Sequence, residues 1–165
     1  MRRLLLTLGA AAPLAACSRP AAGPSASPTT TASPAAPTTM QMPHGTTAPA
    51  ATPDRTIAVT ATDQLRFQPA AVQVRAGETV AFRVTNRGKL MHELVVGDQA
   101  FQAKHEQEMQ QMGGHPMGDD ADGVSVAPGQ TKTLVYTFHQ PGTLLFACHV
   151  TGHYQAGMRG TVTAA

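Results

Sequence analysis

From Asp54 onward, apolar and polar residues alternate in short runs. Ile57-Val59, Val72-Val74, Val80-Phe82-Val84, Leu94-Val96, Leu134-Tyr136-Phe138 and Leu144-Phe146 place apolar side chains at every second position, the period of a strand with one buried face. Turn residues separate these runs at Ala76-Gly77-Glu78, Pro128-Gly129-Gln130 and Gln140-Pro141-Gly142. Several short strands punctuated in this way predict an antiparallel β-sandwich spanning residues 54–165. One segment breaks the rhythm. Residues 98–112 are mostly helix formers, and Gly113-Gly114 with Pro116 stops them. They predict a short helix within an insertion at about 98–122.

The first third of the chain reads differently. Met1-Arg2-Arg3 precedes an apolar run from Leu4 to Ala16, too short for a membrane-spanning helix and of the right form for a secretory signal over residues 1–16. The run ends in Leu14-Ala15-Ala16-Cys17, which resembles the bacterial lipobox. That resemblance implies cleavage before Cys17 and a lipid on its sulfur. From Ser18 to about Pro53 the residues are almost wholly Ala, Pro, Ser, Thr and Gly. Such a stretch buries too little to offset its conformational entropy, so residues 17–53 predict a disordered, proline-stiffened, lipid-anchored linker. Met40, Met42 and His44 interrupt it with soft or borderline metal ligands.

Export changes the electrostatics. The chain carries 12 basic and 10 acidic residues; loss of Arg2 and Arg3 leaves 10 of each, a formally neutral protein. Neutrality argues against nucleic acid as a partner. What charge there is segregates, with Arg66, Arg75, Arg83, Arg87 and Lys89 before the inserted segment and Glu106, Glu108, Asp119, Asp120 and Asp122 within it. Such separation can orient a docking partner.

The chemistry gathers near the C-terminus. Leu144, Phe146 and Cys148 fall on one strand face, so the thiol ends a core strand while His149 points the other way. Cys148, His153 and Met158 then present a thiolate, an imidazole and a thioether, with Gly152 and Gly157 permitting tight turns. Sulfur and imidazole together suit copper in both oxidation states. Zinc competes for the Cys-His pair but disfavours methionine. A disulfide would need Cys17, whose thiol a lipid would consume.

Phe67-Gln68-Pro69, Val74-Arg75-Ala76-Gly77-Glu78-Thr79-Val80, Asn86 before His92, Val126-Ala127-Pro128-Gly129, and Cys148 through His153 and Met158 to Gly160 together resemble the cupredoxins, the blue-copper proteins that include plastocyanin, azurin and auracyanin. The resemblance covers about residues 55–163 and implies an all-β, Greek-key β-sandwich holding one type 1 copper. It implies His92, Cys148 and His153 as trigonal ligands and Met158 as the weak axial one. Two positions depart from the family pattern. Glu93 follows His92 where an asparagine often braces the ligand loops, and Met91 stands where azurin has glycine.

A copper with all four positions filled by protein leaves no opening for a substrate, which disfavours catalysis and suits outer-sphere electron transfer. The resemblance implies the same: a non-enzymatic one-electron carrier of the cell envelope, serving a redox partner protein and touching the membrane through its lipid alone. His149 beside the cysteine invites comparison with multidomain copper enzymes such as nitrite reductase. Those need several histidines in paired motifs, which this chain lacks. His139 reads as a surface turn residue. A second reading is copper tolerance. His105, Met109 and Met112 share a helical face, and His115 and Met117 follow, so this segment is a candidate second, soft-metal site. The packed face of a helix would show the same stripe.

The anchor carries its own test. Wild-type protein is expected to label with fatty acid and partition into detergent, and Cys17→Ala to do neither. Wild-type protein found free in the periplasm or medium would contradict the anchor.

Overall fold

The computed structural model describes residues 41–42, 45–113 and 123–165. The signal segment, Cys17, Met40, His44, His115 and Met117 lie outside these, as does the side chain of Met42. In chain order the elements are β1 (Gln41–Met42), β2 (Gly45–Thr47), β3 (Arg55–Thr62), β4 (Arg66–Gln68), β5 (Ala71–Val74) and β6 (Thr79–Asn86). They continue with β7 (His92–Gly97), α1 (Gln99–Gln111), β8 (Gly123–Val126), β9 (Thr131–Phe138), β10 (Gly142–Ala147) and β11 (Arg159–Ala164).

Two sheets form the sandwich. One runs β1-β2-β9-β6-β3-β4, the other β5-β11-β10-β7-β8. Each predicted apolar run lies in a strand, and its alternate side chains fill the space between the sheets. Phe67 meets Phe146 edge-on at 5.4 Å, and Phe82 meets Phe138 at 6.3 Å, the offset geometries that aromatic rings favour.

The sheets are mixed where the sequence predicts antiparallel ones. Strand β3 lies parallel to β6, and β5 parallel to β11. The cause is connectivity. After β4 the chain crosses to the second sheet for β5 and returns for β6, so β6 arrives beside β3 running in the same direction.

The sheet also begins earlier than Asp54. Within the predicted linker, β2 pairs antiparallel with β9, Gly45 opposite Phe138 and Thr47 opposite Tyr136. The Thr46 hydroxyl bonds His139 Nε2 at 2.7 Å, so the exposed His139 fastens this strand. Gly45 packs so closely on the Tyr136 ring that a Cβ there would collide with it. Low-complexity composition hides such a strand, because Gly and Thr carry no apolar alternation and the partner strand supplies the order.

Helix α1 matches its prediction. Asp98 caps it by accepting from the Phe101 amide at 2.8 Å, which satisfies one orphan donor of the first turn. The helix lies against β7 and β10. Every residue of β7 is therefore buried, Leu94 and Val96 towards the core cluster and the alternate positions away from it. Removing β2 tests what that strand contributes. A chain starting at Asp54 is expected to lose about 1–2 kcal/mol of stability against one starting at Ala35, and to melt several degrees lower. Equal melting temperatures would return residues 45–47 to the linker.

Candidate metal centre

Three loops converge at one end of the sandwich, each held by backbone chemistry. Asn86, fully buried at the end of β6, donates from Nδ2 to the carbonyls of Leu90 (2.7 Å) and Val126 (2.9 Å). Its Oδ1 accepts from the Gly88 amide at 2.8 Å. The buried amide is thus satisfied on both sides and fixes the turn that delivers His92. Asp63 holds the same turn from outside, accepting from the Lys89 and Leu90 amides at 2.8 and 3.1 Å. Those amides keep its carboxyl below the usual carboxylate range, as does the nearby His92.

The C-terminal loop folds on itself. His153 N donates to Val150 O at 2.8 Å, Met158 N to His153 O at 2.9 Å, and Cys148 N to Met158 O at 3.1 Å. Gly152 and Gly157 take positive φ, at 83° and 86°, the left-handed region where glycine alone is unstrained. These turns return Met158 to the core beside Cys148's strand, and both residues are fully buried.

His92, Cys148 and His153, the three that the resemblance implies, lie together, with one candidate ligand atom from each within 4.8 Å of the others. Cys148 Sγ is 3.3 Å from His153 Nδ1 and accepts from the Glu93 amide at 3.4 Å. The His92 and His153 rings stand 5.0 Å apart, tilted by 45°. Among the described residues neither ring nitrogen of His92 has a hydrogen-bond partner; Nε2 comes only to 3.7 Å from Asp63. A buried polar atom left without a partner costs about 1–3 kcal/mol. One of these nitrogens, within 4.8 Å of a thiol and of a second imidazole nitrogen, fits a metal ligand. The donor set of one sulfur and two imidazoles fits copper.

The electrostatics agree. Burial lowers the proton affinity of His92 and His153; a charge on His153 lowers that of His92 further, while Asp63 acts the other way on both. Both rings therefore meet neutral pH as free bases. Burial also pushes the Cys148 thiol up to about 12, so without metal it keeps its proton. Cys148 is free of any disulfide.

Of the second candidate cluster, His105, Met109 and Met112 are described, while His115 and Met117 lie outside the described residues. His105 and Met109 lie buried between α1 and the sheet, whereas Met112 is exposed at the helix end. The stripe is helix packing at two of its three positions. Sequence reasoning missed the residues that surround the centre. His149 is fully buried, and Gln102 and Glu106 reach it from α1 at 2.6 and 2.7 Å. Their four-residue spacing is the one signal that they share a helix face.

Residues 54–165 match the family model for copper binding proteins of the plastocyanin/azurin family. The chain belongs to that family, and its cofactor is one copper. Among curated proteins it is 41% identical over 120 residues to the copper-resistant cuproprotein CopI of Rubrivivax gelatinosus, covering 73% of this chain and 72% of that one. It is 40% identical to CopI of Pseudomonas aeruginosa, covering 72% and 81%. Among solved structures, auracyanin B superposes with a TM-score of 0.62 at 24% identity over 74% of this chain and 96% of that one. Auracyanin from Roseiflexus castenholzii gives 0.59 at 25% identity, covering 67% and 96%.

Proton release tests the thiol directly. The folded apo-protein holds the Cys148 proton below about pH 12, and a thiolate ligand must give it up. Copper uptake between pH 7 and 9 is expected to release one proton per ion, and apparent affinity to rise about tenfold per pH unit. Cys148→Ala should abolish the release; an unchanged release would take Cys148 out of the centre.

Proposed function

We propose that this chain is an exported, lipid-anchored copper protein of the bacterial envelope that works in copper tolerance through a single one-electron centre. The buried convergence of His92, Cys148 and His153 carries the proposal. His92, Cys148, His153 and Met158 would hold the ion. Bound copper supplies a Cu(I)/Cu(II) couple and so stores or passes one electron. What the chain's own residues contribute is a dry, prearranged donor set. His92 and His153 need no deprotonation at neutral pH, and the loops that carry them are tied by Asn86, Asp63 and the 148–158 backbone bonds. Little rearrangement on changing oxidation state is what an outer-sphere carrier requires.

The relatives named for copper resistance favour tolerance as the cellular setting. They do not conflict with electron transfer as the chemistry. Tolerance by bulk sequestration draws less support, because Met109 is 1% exposed and His105 4% exposed, both inside packing. No substrate, nucleic acid or catalysis enters this reading; a redox partner protein of the envelope does.

Three variants separate these roles. The full chain with one Cu(II) is expected to show an intense visible thiolate-to-copper band, absent in Cys148→Ser. Met158→Leu should keep the copper and raise the reduction potential, since the axial donor tunes it. Met109→Leu, which conserves apolar volume, should leave both Cu(I) capacity and copper tolerance of the cells unchanged. An intense band surviving in Cys148→Ser would overturn the centre, and lost Cu(I) capacity in Met109→Leu would restore the sequestration reading.

A further inference from the structure

Helix α1 does more than cover the sheet. The residues that follow two of the candidate ligands along the chain, Glu93 after His92 and His149 after Cys148, are bonded to each other: the His149 amide donates to Glu93 Oε1 at 2.8 Å. Both are buried, Glu93 at 4% and His149 at 1% exposure. From there the bonding runs outward into the helix. His149 Nε2 lies 2.6 Å from Gln102 Oε1. The Gln102 amino group is committed elsewhere, donating to the carbonyls of Val95 and Leu145 at 3.1 Å each. That fixes which way the amide faces, so its oxygen accepts from the imidazole.

Glu106, one turn further along, completes the clamp. Its Oε2 lies 2.7 Å from His149 Nδ1, and its Oε1 accepts from Gln155, which sits between His153 and Met158. Gln110 also donates to Oε1, at 2.9 Å. Tyr154 stacks on the His149 ring with centroids 4.6 Å apart. A single carboxylate on the helix thus grips the loop on both sides of His153.

We propose that Glu106 is a positioning residue for the copper centre, fixing the Cys148–Met158 loop through His149 and Gln155. It touches the loop's flanking residues and acts through them. The helix grips the loop from outside the sandwich, while Glu93 accepts from the His149 amide. This inference rests on the copper reading above. Removing residues that orient metal ligands typically weakens metal binding tenfold to a hundredfold.

The test uses the full chain as wild type, Glu106→Gln, Glu106→Ala and, as a control at a half-exposed carboxylate of α1 paired with Lys104, Glu108→Ala. Each is loaded with one Cu(II). Glu106→Ala is expected to release copper to a chelator about tenfold faster. Its charge-transfer bands should change in relative intensity, and its reduction potential should shift. In the metal-free protein, amides of residues 149–158 should exchange with solvent faster. Glu106→Gln keeps a side chain of the same length that can still bond His149 Nδ1 and Gln155, and should fall between Ala and wild type; it decides the matter if the Ala variant fails to fold. Glu108→Ala should match wild type. The proposal fails if both Glu106 variants keep the wild-type spectrum, potential and release rate and differ only in melting temperature. A wild-type chain with no thiolate-to-copper band would remove the copper reading and this proposal together.

Discussion

The end of the sandwich is organised around a cost. A thiol and two imidazoles are held out of water, and among the described residues the two buried ring nitrogens of His92 have no hydrogen-bond partner. Folding alone does not favour that arrangement, since each orphaned group costs about 1–3 kcal/mol. The surrounding chain enforces it. Asn86 and Asp63 set the turn before His92, and the backbone bonds of residues 148–158 set the rest. A metal that takes up the free donor electrons returns the cost, so its binding energy becomes folding energy.

The inserted helix explains why this sandwich differs from a plain two-layer one. Strand β7 has a core on one side and α1 on the other, which is why it can bury a carboxylate at Glu93. In a two-layer fold that position would face water, and a glutamate there would be an ordinary surface charge. Here it accepts from the His149 amide and faces His105 at 3.6 Å. Burying one polar group has brought others with it, and Glu93, His149, Gln102 and Glu106 are hydrogen-bonded in a connected network. Such networks are rigid when complete. Rigidity beside a redox metal limits rearrangement between oxidation states.

Much of this was legible in the residues. The six apolar runs were strands, Asp98 began a helix, and the spacing of Cys148, His153 and Met158 with Gly152 and Gly157 marked a loop that turns back on itself. The distant His92 came from family resemblance, since nothing local marks a lone histidine as a ligand. What stayed hidden has physical causes. β2 is Gly-Thr-Thr, and β11 buries Gly160, Val162 and Ala164, small side chains whose alternation is faint. Gly160 is small because the Phe146 ring and the Ala70 carbonyl leave no room for a Cβ. Parallel pairing of β3 with β6 depends on a crossover between sheets, which no local pattern encodes. Gln102 and His149 are polar residues buried by a tertiary contact, with Glu106 half-buried beside them, and hydrophobic patterning is blind to them by construction.

The central claim is that copper sits between one thiolate and two imidazoles at the end of the sandwich. X-ray absorption at the copper edge, on the full chain carrying one equivalent, reads that donor set without reference to colour or potential. The account predicts one short copper–sulfur shell together with the multiple-scattering signature of two imidazole rings. A first shell of nitrogen and oxygen alone would contradict it.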